Sequence, residues 1–258
     1  QAFRSDAMSK PLHAGHAAEA GVLAALAASR GYTGALDILE GKAGFGAAMS
    51  AAVDWDQALA RLSGPPGITQ ATVKNHSCCG HTFAAVDAAL ELRARGITAD
   101  DAADITVETY ITAATVAGNT DPATAFEAKF STAYCVAAAL VTGSVRLQAF
   151  EDATLADPKV RELMRRVRVT GDPAMEALFP GHRVARVTVR DRAGKAHVAD
   201  RQTRKGDPDD PLSDGELRDK FRDLVVPVLG EDHAGRLEEA LWRLAELPSV
   251  SGIPLERA

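Results

Sequence analysis

The chain has 258 residues, 46% hydrophobic and 25% charged, with a formal net charge of -6. That is enough apolar material for one large core or two smaller ones. The acidic balance excludes a nucleic-acid binder, which carries a basic face, and no apolar run reaches the roughly 18–20 residues needed to span a bilayer. Aromatic residues are only 5% while Ala is abundant, so a largely helical, closely packed core is expected. Cys78, Cys79 and Cys135 are odd in number and two are adjacent. They do not read as a disulfide framework, and a reducing, cytoplasmic compartment is expected. No signal peptide is visible. The chain begins with Gln and is read as a processed product or part of something longer.

In chain order, Pro11 disfavours helix at the residue before it, which puts Lys10 in an extended turn. A helix follows from about Leu12 to Ser29, with Ala14, Ala17, Ala18, Gly21, Ala24, Ala25 and Ala28 on a continuous small-residue face. Such a face suits close contact with another helix. Gly31 is the expected C-cap. A second helix is predicted over Ala35–Glu40 and a third over about Ala47–Leu62. Ser63-Gly64-Pro65-Pro66-Gly67 then forms a boundary that no helix crosses.

Beyond it the pattern changes. Ile68–Asn75 alternates and reads as a strand, Gly80–Arg95 as a helix, and Asp104–Tyr110 as a second strand. Thr124–Thr142 reads as one helix closed by Gly143, Pro158–Arg166 as another, and Arg168–Thr170 as a short strand. Arg183–Arg190 and Ala196–Arg201 form a hairpin around Gly194. Basic residues concentrate between Lys159 and Lys205 with acids interspersed, which reads as a solvated mixed-charge surface. Gly206–Leu212 is the second boundary. A capping box at Ser213 and Glu216 opens a helix to Leu229, and another runs over His233–Leu247. The fold class is α+β. An all-helical domain is built from both chain ends, residues 1–67 and 206–258, with a small α+β domain, residues 68–205, inserted between.

Three groups of residues can carry chemistry. Lys10 sits just before a helix N-terminus, with His13 and His16 on one helix face, and this is a ready site for a carboxylate or phosphate. The turn VKNHSCCGHTF holds Lys74, His76, Cys78, Cys79 and His81, with Asp87 following. Its H-x-C-C-x-H spacing suits a tetrahedral metal poorly, so a polar pocket without metal is the reading. Glu127, Lys129, Ser131 and Tyr134 lie near the start of the apolar helix and are candidate pocket residues. No phosphate-binding loop, dinucleotide fingerprint or serine-nucleophile elbow is present.

Five stretches in order, KPLHAGHAAEAG, RGYTGALDILEGKAGFG, VKNHSCCGHTFAAVDAAL, FEAKFSTAYCVAAALVTG and GDPDDPLSDGELRDKF, resemble the C-terminal part of the MmgE/PrpD family. That family includes 2-methylcitrate dehydratase, cis-aconitate decarboxylase and iminodisuccinate epimerase. The resemblance implies a helical domain with an inserted lid, a homodimer, no metal or organic cofactor, and an active site in the cleft between domain and lid. It matches Lys10 and Lys74 to two site lysines, His13 to the motif histidine, and Cys79 to a position lining the lid turn. His76-Ser77 departs from the family's aromatic-Pro, and Phe83 replaces a frequent His, with His81 nearby instead. The family's long N-terminal helical segment, which bears an Asp and His residues, is absent, so only part of the site is expected here. A separate N-terminal segment is an expected partner, packing on the small-residue face of the first helix. The implied activity is that of a cofactor-independent lyase on a small di- or tricarboxylate, first a 2-methylcitrate dehydratase-like hydro-lyase. Decarboxylation, epimerisation and a non-catalytic assembly module are the alternatives. Lys10, His13 and Lys74 are the expected catalytic residues. Cys79, His81, His76, Lys129 and Tyr134 are the expected substrate-binding ones.

Overall fold

The computed structural model describes residues 9–255, apart from the side chains of Lys10 and Pro11. Its contacts divide the chain into two compact units, one ending at Gln70 and the other beginning at Ala71. Residues 206–258 therefore share a unit with the sheet.

The first unit opens with helix α1, Ser9–Ser29. Lys10 and Pro11 lie in its first turn, not in an extended turn as Pro11 suggested. The first amides of a helix lack intrahelical acceptors, so a proline there removes no bond. The small-residue face of α1 is exposed, as are Leu12, Val22, Leu23 and Leu26. The helix expected at 35–40 is absent, and residues 36–43 form turns. The turns are fixed by Phe45 N–H donating to the Ile38 carbonyl (2.7 Å) and Gly46 N–H to that of Leu39 (3.0 Å). The long helix expected over 47–62 is broken into α2, Phe45–Met49, and α3, Trp55–Ala60, with a 3₁₀ turn over Arg61–Ser63. Two local bonds explain the break. Ser50 closes on the backbone of Ala52, and Asp54 caps α3 by accepting from Gln57 N–H (2.8 Å). Gly46 allows the two pieces to meet, since a Cβ there would come within 2.7 Å of the Trp55 ring.

The second unit holds the core. Its elements are α4 (Phe83–Ala94), β1 (Ala102–Tyr110), α5 (Ile111–Val116), α6 (Ala125–Ala128), α7 (Thr132–Thr142), α8 (Asp152–Leu155), α9 (Pro158–Met164), β2 (Val167–Asp172), α10 (Pro173–Glu176), β3 (Ala185–Asp191), β4 (Ala196–Arg201), α11 (Asp214–Leu229) and α12 (Glu231–Trp242). The sheet order is β2-β1-β3-β4. β1 runs parallel to β2 and antiparallel to β3, which pairs antiparallel with β4. Central β1 aligns Ile105 with Val167 on one side and Val189 on the other. Helices α4 and α7 pack together and against this sheet, and Thr132 through Leu140 are buried. Leu140, Val136, Phe83, Leu92 and Val107 form the centre of one apolar cluster. Gly143, in the left-handed region at φ 80°, ends α7 as expected.

Two further expectations change here. Residues 68–75 form no strand; a 3₁₀ turn covers Gly67–Gln70, and residues 71–75 have no regular structure and do not pair with the sheet. Alternation alone makes no strand where no sheet edge is offered. The helix expected over 124–142 is two helices. Thr124 and Glu127 close a capping box on α6, and Ser131 then caps α7 by accepting from Tyr134 N–H (3.1 Å). The break leaves the Lys129 carbonyl available as an acceptor. The capping box at Ser213 and Glu216 forms as expected and starts α11. The α11–α12 hairpin is held by Glu238, nearly buried, which accepts from Arg218 (2.7 Å) and Arg222 (3.3 Å).

Candidate active site

The site is built on residues 71–83, a stretch with almost no regular structure of its own. It is held by bonds from several directions. Val73 N–H donates to the Gly206 carbonyl (2.8 Å), and the Thr72 hydroxyl donates to Asp207 (2.6 Å). Ser77 N–H donates to the Val145 carbonyl (2.9 Å), and Cys79 N–H to the Lys129 carbonyl (2.8 Å) exposed by the α6–α7 break. Buried Arg204 grips the Asp207 carboxylate with Nε (2.8 Å) and Nη2 (2.5 Å), while its Nη1 donates to the Gly80 carbonyl (3.3 Å). A bidentate arginine–carboxylate pair fixes orientation as well as distance. His76, also buried, meets Asp87 through Nε2 (2.8 Å), and the other oxygen of Asp87 accepts from Lys205 N–H (2.9 Å).

At the end of this turn stands His81. Its Nδ1 lies 2.7 Å from the Tyr110 hydroxyl. Its ring also contacts Phe179, which stacks on Tyr110 with ring centroids 4.9 Å apart. The Arg183 guanidinium lies over the Phe179 ring, 5.6 Å from its centroid. Burial, followed by the positive charges of Arg183 and Arg204 and a smaller contribution from Lys74, lowers the His81 pKa; Glu176 opposes them. Burial likewise pushes the Tyr110 hydroxyl up to about 12. At neutral pH the pair is therefore an uncharged imidazole bonded to a protonated phenol, in a field of cations. With Nδ1 engaged by Tyr110, Nε2 is the nitrogen left to handle a proton. Glu176 is held ionised by Thr112, whose N–H (2.9 Å) and hydroxyl (2.7 Å) donate to it. Lys74 reaches the Cys78 carbonyl (3.4 Å) and lies over the Phe83 ring at 5.8 Å. A cavity of about 200 Å³ lies beside the cluster, lined in part by Arg183, Arg204 and Asp207.

The residues expected from the sequence fall into three places. Lys74, His76, Cys79 and His81 come together in the 71–83 turn. Lys129 touches that turn only through its carbonyl; its ammonium lies over Phe150 at 5.6 Å. Tyr134 is fully buried in the core and donates to the Ala149 carbonyl (2.5 Å). His13 lies exposed on α1 in the first unit, and the side chain of Lys10 lies outside the described residues. Sequence reasoning missed Tyr110, Arg183 and Arg204. It placed the arginines in a solvated basic run, yet Arg204 is only 8% exposed. The Arg204-x-x-Asp207 spacing beside the second boundary was the available signal.

The turn's metal-capable groups diverge. His76 goes to Asp87, the Cys78 thiol to the Thr82 hydroxyl (3.0 Å), and His81 to Tyr110. Among the described residues no three His, Cys, Asp or Glu side chains are arranged to hold a metal ion, and no helix is long and apolar enough to cross a membrane.

Comparison with known proteins agrees with the motifs. Residues 76–246 match the MmgE/PrpD C-terminal domain, and residues 1–58 match the MmgE/PrpD N-terminal domain. The likeness is thus not confined to the family's C-terminal domain. Cis-aconitate decarboxylase from Mus musculus is 28% identical over 254 residues, covering 94% of this chain and 51% of that protein. The chain spans about half the length of this curated relative. With both domain models matched in order, the chain belongs to the MmgE/PrpD family.

Proposed function

We propose that this chain carries part of the active site of a cofactor-independent lyase for small di- or tricarboxylates. The observation that supports this reading is the uncharged His81–Tyr110 pair set among Lys74, Arg183 and Arg204. Removing a proton α to a carboxylate, or losing carboxylate from that carbon, builds negative charge on the remaining carboxylate. A nearby ammonium or guanidinium stabilises this charge more in the transition state than in the ground state. An imidazole that is neutral at physiological pH can take or return the proton. In this reading Lys74 holds the developing charge, His81 moves the proton through Nε2, and Tyr110 orients the ring. Cys79 lines the same turn, and His76, fixed by Asp87, shapes it. Lys10 and His13, in the first unit, are further catalytic residues in this reading, and the enzyme works as a cytoplasmic homodimer.

The first assignment is a hydro-lyase of the 2-methylcitrate dehydratase kind, in which β-hydroxide leaves after proton removal. Decarboxylation is the second, favoured by the likeness to cis-aconitate decarboxylase. Both pass through the same charge-stabilised carbon. Incubating the chain in D₂O with 2-methylcitrate, citrate and cis-aconitate, followed by NMR, tests the proposal. Deuterium at the α-carbon with loss of water supports dehydration, and loss of CO₂ from cis-aconitate supports the second reading. Binding with neither exchange nor product would instead mark a non-catalytic module.

A further inference from the structure

A second cavity, of about 190 Å³, lies between the 74–77 turn, residues 146–147 and α11. Three cations line it: Lys74, Arg146 and Lys220. Arg146 is bonded to Asp223 (2.5 Å) and to the side-chain oxygen of Asn75 (3.2 Å). Asp223 is the only carboxylate in the lining. Among the described residues neither Lys74 nor Lys220 has a carboxylate within ion-pair distance. Lys220 is partly desolvated, and Arg146 and Lys74 also press its pKa down. Two ammonium groups and a guanidinium thus share one carboxylate in a partly enclosed space, which leaves positive charge unbalanced. Leu147 and Leu224 complete the walls and offer apolar surface to a carbon skeleton, which inorganic phosphate lacks.

We infer that this cavity takes a carboxylate group of a small dicarboxylate, with Lys220 and Arg146 as the residues that recognise the carboxylate remote from the reacting carbon. The inference rests on the proposed function through Lys74, which lines this cavity and also acts on the charge around His81. Lys220 and Arg146 have no part in the proton-transfer chemistry proposed for His81. The recognition is a charge-assisted one, and Arg146 offers the planar fork that suits a carboxylate.

The test is calorimetric titration of the whole chain with succinate, acetate and inorganic phosphate, in the wild type and in Lys220→Gln, Arg146→Gln and Asp223→Asn. Succinate binding is expected to weaken at least 10-fold in Lys220→Gln and Arg146→Gln, while acetate binding changes less than twofold. Asp223→Asn removes the competing carboxylate and is expected to tighten succinate binding, a gain that misfolding does not produce. Succinate bound equally well by wild type and Lys220→Gln overturns the inference, as does phosphate bound by the wild type as tightly as succinate. Turnover of a polycarboxylate with unchanged KM in Lys220→Gln also overturns it while leaving the proposed function intact. Succinate binding that depends on Lys220, in a chain that turns over no polycarboxylate, upholds the inference and overturns the proposed function.

Discussion

Gly206 is the position where one added methyl group bears most directly on the site. Its φ is +99°, and a Cβ there would lie 1.9 Å from the Val73 carbonyl oxygen. The same two residues are joined by the 2.8 Å bond from Val73 N–H to the Gly206 carbonyl. Lys74 follows immediately, so Gly206 sets where Lys74 begins. In Gly206→Ala the left-handed backbone costs about 1–2 kcal/mol, and separating the two segments to relieve the clash gives up a backbone bond worth about 1 kcal/mol. The expected destabilisation is about 2–3 kcal/mol. Gly194→Ala is the control. Its φ is +85°, with nothing within 4 Å of the added carbon, so only the backbone term, about 1–2 kcal/mol, applies. Urea unfolding of both variants measures the difference as a change in midpoint at constant slope, and amide exchange at Val73 reports the lost bond. If the chain turns over a polycarboxylate, kcat/KM in Gly206→Ala is expected to fall by about 100-fold, the scale of a 1 Å misplacement. Equal stability losses in the two variants, with Val73 protection unchanged, would refute the claim that this contact anchors the turn.

Other consequences follow from the same geometry. The His81 pKa is held below its ordinary value of 6.5, so the unfolded chain binds the proton more readily. Its contribution to stability is therefore undiminished above 6.5, declines as pH falls through that value, and is fully lost below the folded pKa. Arg183→Gln removes a cation and is expected to raise the His81 pKa, moving any acid limb of activity upward, which an imidazole NMR titration reads; a fall would contradict the assignment. The Cys135 thiol is fully buried and its pKa is raised by burial and by Cys78, whereas Cys79 is only half-buried. Iodoacetamide is expected to modify Cys79 in the native chain and Cys135 only after unfolding, as peptide mass mapping would show. Leu140, wholly buried in α7, is expected to cost about 2–5 kcal/mol when replaced by Ala, measured by thermal or urea unfolding. Helix α1 has its apolar side chains exposed, and most helical stability in proteins comes from packing of an apolar face. Its amides are expected to exchange much faster than those of α7.

The parts of the fold that were legible in the sequence are those where local signals and core packing agree. The capping box at Ser213, Gly143 at the end of α7, and the hairpin around Gly194 each carry their own stereochemical reason. The misread parts lacked that agreement. Residues 68–75 alternate like a strand, but their bonds go to Gly206 and Asp207, partners more than 130 positions away that periodicity does not see. The breaks at Ser50–Asp54 and at Ser131 depend on side chains that cap the next helix, and propensity summed over a window averages such residues away.

The candidate site divides along the same line. The family motif around Lys74, Cys79 and His81 is contiguous, so its residues stay together whatever the fold. Tyr110, Arg183 and Arg204 reach His81 from the end of β1, the start of β3 and the exit of β4. They meet only because β1 and β3 are neighbours in register, Thr109 opposite Ala185, with β4 beyond. Charge composition could not reveal this, because a basic run on a solvated face and one that buries one of its arginines have the same net charge. The distinguishing feature is where each guanidinium finds its partner. Arg204 spends its positive charge on Asp207 and so acts as a brace. Among the described residues Arg183 pairs with no carboxylate within 4 Å, so its charge remains for His81 and for any anion that enters. Two single substitutions separate the two roles. Arg204→Gln should loosen the turn and lower stability. Arg183→Gln should leave stability within about 0.5 kcal/mol, the ordinary range for a surface change, yet weaken anion binding. If Arg183→Gln were the more destabilising of the two, the assignment of brace and binder would have to be exchanged.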